Sequence, residues 1–273
     1  MEKLNIDKIE ISYKYEASTK EYLESKDFHE FHEFILIRNQ VNSNYKYCFQ
    51  IILKDSNEYF GNLYFGSYNL NRQLIYININ NRILYINLDF NILYIIQECL
   101  NLEYNNISKL DIANDYDYNY INRFYKILKD EDFDIIILNK KYTIDEEIKS
   151  LLNISVGTRK NIHKFKSLYI QNREKGLVLN GYDKLKEIQD NEYEKRYIIE
   201  NNKFKKSIYR LEVRTRHNLL KDTLNKLGFS DLYLYQSIIR KDISELKSIF
   251  DDLLNRLIRI QYKNKIYSLQ YFL

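Results

Sequence analysis

A two-residue rhythm constrains this chain more than any other feature. KIEISYKY (8–15), YKYCFQIIL (45–53), FGNLYFGSYN (60–69), QLIYINI (73–79) and RILYINL (82–88) are rich in Ile, Tyr and Phe and broken by Asn, Ser and Gly. Such runs predict half-buried strands. NILYIIQECLN (91–101) has helical length and spacing instead. ISKLDIAND (107–115) predicts a strand, and YINRFYKILKDE (120–131) an amphipathic helix with Ile121, Phe124, Tyr125 and Leu128 on one stripe. FDIIIL (133–138) predicts a short apolar strand.

The second part repeats the pattern. NISVGT (153–158), FKSLYIQN (165–172) and LVLNGYD (177–183) predict strands, the last two joined across REKG as a hairpin with Gly176 at the turn. SIYRLEVRTR (207–216) predicts another strand. NLLKDTLNKLG (218–228) predicts a helix closed by Gly228, and DISELKSIFDDLLNRLIRI (242–260) the longest helix, with Asp242 as N-cap. Its stripe is Ile243, Leu246, Ile249, Phe250, Leu253 and Leu257. Strands grouped with occasional helices, without regular β-α alternation, predict an α+β fold of mostly antiparallel sheets with packed helices. A strand-rich N-terminal half (1–103) and a half carrying the chemistry (104–273) suit the pattern, as does one continuous domain. Hairpins feeding an acid-bearing strand in each half suggest two related halves.

Composition decides how much weight single residues bear. The 273-residue chain is 45% hydrophobic and 29% charged, as a soluble globular protein is, and it can bury a real core. It has no proline or tryptophan, six glycines and two alanines, against 27 tyrosines. Tyr, Asn, Ile and Lys fill the space, as a strongly AT-rich coding sequence dictates. Most tyrosines are therefore core or strand residues, while Gly157, Gly181 and Ala113 are informative because they resist the drift. No run reaches the ~18 apolar residues of a membrane span. The N-terminus lacks an apolar signal core, and two cysteines, Cys48 and Cys99, make a disulfide framework unexpected. A cytoplasmic location is expected. Net charge is +4, but residues 157–216 hold 16 Lys and Arg against 8 Asp and Glu, which leaves the rest at −4. A basic block of this kind is the footprint of a phosphate-backbone binder, or a solvated surface.

Three segments can carry chemistry. In KLDIANDYD (109–117), Asp111, Ala113 and Asp115 share one strand face, and two carboxylates flanking a small residue leave room for a hard divalent cation. The plainer alternative is that Asp115 to Asp117 form a turn and helix cap. In YRLEVRTR (209–216), Leu211 and Val213 face the core, while Arg210, Glu212, Arg214 and Arg216 face the other way. That is a surface salt-bridge ladder, or an ionised carboxylate among phosphate-binding forks. In LNGYDK (179–184), Asn180, Tyr182 and Lys184 share a face opposite Gly181. A tyrosine there could attack a phosphodiester if its hydroxyl is activated, and Lys184 could hold the phosphate.

The order LDIAxD, VGTRK, a hairpin ending in GYDKxKE, then YRLEVR resembles the replication-initiation factors of rolling-circle plasmids and single-stranded DNA phages. The likeness is greatest to the Rep_trans-type initiators and filamentous-phage replication proteins, and covers roughly residues 105–220. It implies a metal-dependent enzyme that nicks and rejoins origin DNA. By it, Asp111 and Glu212 bind Mg²⁺ or Mn²⁺ with Asp115 as helper, Tyr182 is the nucleophile of a 5′-phosphotyrosyl link, and Lys184 serves the phosphate. Arg159, Lys160, Arg210, Arg214 and Arg216 would hold DNA. The implied partners are origin DNA, single-stranded or hairpin, with host helicase, host polymerase and a second copy of the chain as further ones, and no membrane. The His-hydrophobic-His motif of many nickases is missing. His29 and His32 in FHEFHEF are expected on a helix face rather than as zinc ligands, and His163 and His217 stand apart. The competing readings are a non-enzymatic DNA-binding initiator or repressor, and a structural protein of a mobile element.

Overall fold

The computed structural model describes residues 2–40, 44–68, 73–86, 90–128, 130, 132–142, 167–191, 194–202 and 206–273. These form, in chain order, β1 (Glu2–Lys14), α1 (Ala17–Glu24), β2 (Phe28–Glu30), β3 (Phe34–Arg38), β4 (Tyr45–Leu53), β5 (Tyr59–Ser67) and β6 (Leu74–Ile79). Next come α2 (Asn81–Tyr85), α3 (Ile92–Cys99), β7 (Glu103–Tyr116), α4 (Tyr120–Leu128), β8 (Phe133–Ile137), β9 (Lys140–Tyr142), β10 (Ser167–Asn172) and β11 (Leu177–Asp183). The rest is α5 (Lys184–Asp190), α6 (Arg196–Asn201), β12 (Tyr209–Arg216), α7 (His217–Leu227), α8 (Asp231–Ile239), α9 (Leu246–Leu257), β13 (Ile258–Tyr262) and β14 (Lys265–Ser268). The strands pair mostly antiparallel and helices pack on them, an α+β fold. No helix among the described residues is long and apolar enough to cross a membrane.

The chain divides into two compact units. One holds Asp7–Leu110 and Phe229–Ile243. Its strands run β7, β1, β6, β5, β4, β3, β2 across the sheet. Alternation builds its core: β6 reads half-buried, buried, half-buried along its length, with Ile75, Ile77 and Ile79 inside. The other unit holds Met1–Ile6, Asp111–Gly228 and Ser244–Leu273. Here β10, β11, β12 and the second part of β7 are successive neighbours, and β14, β13, β8 and β9 make a smaller sheet. Helix α9 lays Leu246, Ile249, Phe250, Leu253 and Leu257, all buried, against β10, β11 and β12. The compact units part between Leu110 and Asp111, within β7.

Four sequence expectations are corrected. Residues 82–85 of RILYINL are helical rather than a strand, since the Asn80 side chain accepts from the Arg82 amide at 2.8 Å and caps α2, and residues 87 and 88 lie outside the described residues. The helix expected from Asp242 begins at Leu246, because the Asp242 amide bonds back to the Ser237 carbonyl at 2.9 Å and closes α8. In α4, Tyr120, Ile121, Phe124 and Ile127 are buried: Ile121 and Phe124 belong to the expected stripe, Tyr125 is only half-buried, and the Leu128 side chain lies outside the described residues. FHEFHEF contains strand β2 rather than a helix, with His29 buried beside the Leu23 carbonyl and His32 in solvent. NISVGT lies outside the described residues.

The REKG hairpin forms as expected, with Gly176 at φ +62° and β10 paired to β11. Gly181 has a stricter reason to lack a side chain. An added Cβ would stand 2.5 Å from the Tyr120 hydroxyl, which is buried and donates to the Arg210 carbonyl at 2.6 Å. Gly181→Ala should therefore cost about 1–3 kcal/mol by overpacking. Most of that should return in the double variant with Tyr120→Phe; urea unfolding of the single and double variants checks it, and equal stability of Gly181→Ala and the parent would refute the clash.

Candidate active site

β11 and β12 set the site by register. Tyr182 pairs with Arg210, Asn180 with Glu212 and Val178 with Arg214, so these six side chains share one sheet face. β7 is the neighbour on the far side of β12, and it brings Asp111 to that face. The opposite face takes Leu179, Leu211 and Val213, all fully buried. Alternation thus separates core from chemistry along each strand.

At one end an exposed arginine stands over two buried acids. The Tyr182 hydroxyl, diagonal to Glu212 across the pair, donates to Glu212 Oε2 at 3.1 Å. Arg214 Nε donates to Glu212 Oε1 at 2.6 Å and lies 3.6 Å from Asp111 Oδ2. One guanidinium thus faces both carboxylates, and Asp111, Glu212 and Tyr182 converge. Burial works against the charge on Arg214, but Glu212 and then Asp111 outweigh it and hold the proton more tightly than usual. The Glu212 side chain is 1% exposed and that of Arg214 48%, so the acid is fixed and the base has room.

The other end is closed. Arg210 and Asp115 are both 0% exposed and form a two-pronged pair, Nε to Oδ1 at 2.7 Å and a terminal nitrogen to Oδ2 at 2.9 Å. Asn202 donates to the same Oδ2 at 3.1 Å. This corrects two expectations: Asp115 is drawn to Arg210 rather than to the Asp111–Glu212 pair, and Arg210 is sealed away from DNA. The sequence pattern missed Asn202, which no motif marks. Lys184 is also displaced from the expected strand face. Asp183 caps α5 by accepting from the Lys186 amide at 2.9 Å, so Lys184 is the first helical residue. Its ammonium is 1% exposed, pairs with Glu187 at 2.5 Å and lies 5.5 Å from the Tyr182 ring centroid. Burial first, and the Arg210 charge second, lower its affinity for a proton, against the pull of Glu187.

Of the other expected DNA contacts, Arg214 and Arg216 are exposed on the open part of β12, while Arg159 and Lys160 lie outside the described residues. Tyr209 accepts from Asn119 at 3.1 Å, and burial raises its pKa first, with the Asp183 charge second. Among the described residues no three His, Cys, Asp or Glu gather as a metal cluster. Asp111 and Glu212 nevertheless suit Mg²⁺ or Mn²⁺, which take one or two carboxylates and fill the remaining positions with water and phosphate oxygens. No family model matches the sequence, and no curated protein matches it. A solved structure of a rolling circle replication initiator protein from Geobacillus stearothermophilus is similar to this chain, with a TM-score of 0.49 and 16% identity, covering 97% of this chain and 89% of that one.

Proposed function

We propose that this chain is a replication initiator of a plasmid or single-stranded DNA phage, which nicks origin DNA by transesterification to Tyr182 and later rejoins it. The observation that carries this reading is the Tyr182 hydroxyl donating to Glu212 at 3.1 Å on the face that also presents Asp111. A binding-only initiator or repressor has no need of a phenol aimed at a fixed carboxylate beside a second acid. The order of the three motifs agrees with the enzyme.

In the proposed step Glu212 takes the phenolic proton as the oxygen of Tyr182 attacks phosphorus in line. The new bond is Tyr182 Oη–P, the bond broken is P–O3′, and the departing 3′ oxygen takes up a proton. The phosphate stays on the 5′ end of the DNA, and reversal by a 3′ hydroxyl rejoins the strand. The Lys184 ammonium near the ring favours the phenolate, and Arg214 and Arg216, with Arg159 and Lys160, hold the phosphate backbone. Asp111 and Glu212 would hold Mg²⁺ or Mn²⁺, which supplies Lewis-acid stabilisation of charge on the phosphate and leaving oxygens. Partners under this reading are origin DNA, then host helicase and polymerase and a second copy of the chain.

The test is incubation of the protein with a labelled origin-type single strand and Mg²⁺ or Mn²⁺, followed by a denaturing gel. A covalent protein–DNA band is expected. Glu212→Gln should lower the rate of adduct formation by at least about 10²-fold, as loss of a general base does. DNA retention without any covalent band in the unmodified protein would hand the reading to the binding-only initiator.

A further inference from the structure

We propose that Arg214 is the built-in counter-cation of the Asp111–Glu212 pair, and that it leaves the pair for a DNA phosphate when a divalent cation enters. The inference rests on the functional reading above and adds a coupling between the two ligands. Arg214 Nε sits 2.6 Å from Glu212 Oε1 and 3.6 Å from Asp111 Oδ2. The two acid side chains are 1% and 12% exposed, so their charges gain little from water and repel each other unless a cation stands by. Arg214 supplies that cation.

A divalent cation would need the oxygens that Arg214 faces, at about 2.0–2.6 Å. The guanidinium and the metal therefore compete for one place. Arg214 can yield because its side chain is 48% exposed and its cross-strand partner on β11 is the uncharged Val178. Once released it keeps its full charge, and its planar fork matches a phosphate better than any other side chain does. Phosphate binding by Arg214 must then raise metal affinity, and metal binding must raise affinity for phosphate, by the same factor.

The experiment reads Mn²⁺ binding to the full chain by electron paramagnetic resonance of free Mn²⁺, without turnover. Arg214→Gln removes the competing charge and should bind Mn²⁺ about tenfold more tightly, equivalent to about 1.4 kcal/mol. Arg214→Lys keeps the charge and should stay within about threefold of the parent, as less than 0.7 kcal/mol separates them. Asp111→Asn placed on Arg214→Gln should erase the gain. In chains carrying Tyr182→Phe, which cannot be consumed, a short single strand should tighten Mn²⁺ binding where Arg214 is present and not where it is Gln. Mn²⁺ affinity equal to or weaker than the parent's in folded Arg214→Gln overturns the proposal and leaves the metal-dependent nickase standing. A gain that survives Asp111→Asn, or DNA that leaves Mn²⁺ affinity unchanged in the Arg214 chain, overturns it as well. Failure of the parent and the variant alike to take up millimolar Mn²⁺ overturns both this proposal and the metal part of the functional reading.

Discussion

Tyr182→Phe is expected to fold, to bind single-stranded DNA as the parent does, and to give no covalent adduct. The substitution deletes one oxygen and with it the hydrogen bond to Glu212 Oε2, while Glu212 keeps its partner Arg214. The stability cost should be about 1 kcal/mol. Affinity should change by less than about threefold, because phosphate contacts dominate binding to a DNA strand. Adduct yield should fall below detection, since no neighbouring group can replace a bond-forming oxygen. Peptide mass spectrometry of the parent's adduct should find the nucleotide on the peptide containing Tyr182. An adduct on Tyr209, or on Tyr197 of α6, in the Phe variant would move the nucleophile to that residue. If no tyrosine carries DNA, transesterification is the wrong chemistry for this chain.

The sequence and the structure agree on which way the side chains of the acid-bearing strands face, and part where the answer lies in neighbours. LDIAND and YRLEVR have a two-residue period, and the faces read from that period are the faces observed: Leu211 and Val213 enter the core, and Glu212 and Arg214 leave it. The REKG hairpin and the Gly228 helix end were equally legible, because a turn at φ +62° and a left-handed cap at φ +82° are glycine's own territory. RILYINL was not legible, since a short apolar run fits a strand or a helix and one cap from Asn80 decides between them. Arg210 was not legible either. By period it is the equal of Arg214, but its pair with Asp115, which Asn202 also holds, makes one arginine a buried strut and leaves the other at the exposed end of the strand.

Loss of either half of the Arg210–Asp115 pair should be the most damaging polar substitution in this unit. Both side chains are 0% exposed, so each charge has given up water and is held by partners inside the protein, the other member of the pair first among the charged ones. Such pairs add little net stability when whole, yet cost about 3–5 kcal/mol when one partner is removed and a bare charge stays behind. Asp115→Ala should thus speed hydrogen exchange of the slowest amides of β7 and β12 by more than about a hundredfold, at roughly 1.4 kcal/mol per factor of ten. Asp115→Ala combined with Arg210→Met should recover most of that protection, because the double variant strands no charge. The same experiment separates a strut from a metal ligand. A strut leaves Mn²⁺ uptake by the Arg210→Met, Asp115→Ala chain close to the parent's, since Asp111 and Glu212 are untouched. If amide protection in Asp115→Ala stays within about 1 kcal/mol of the parent while Mn²⁺ uptake disappears, Asp115 serves the cation and the pair with Arg210 is only its resting position.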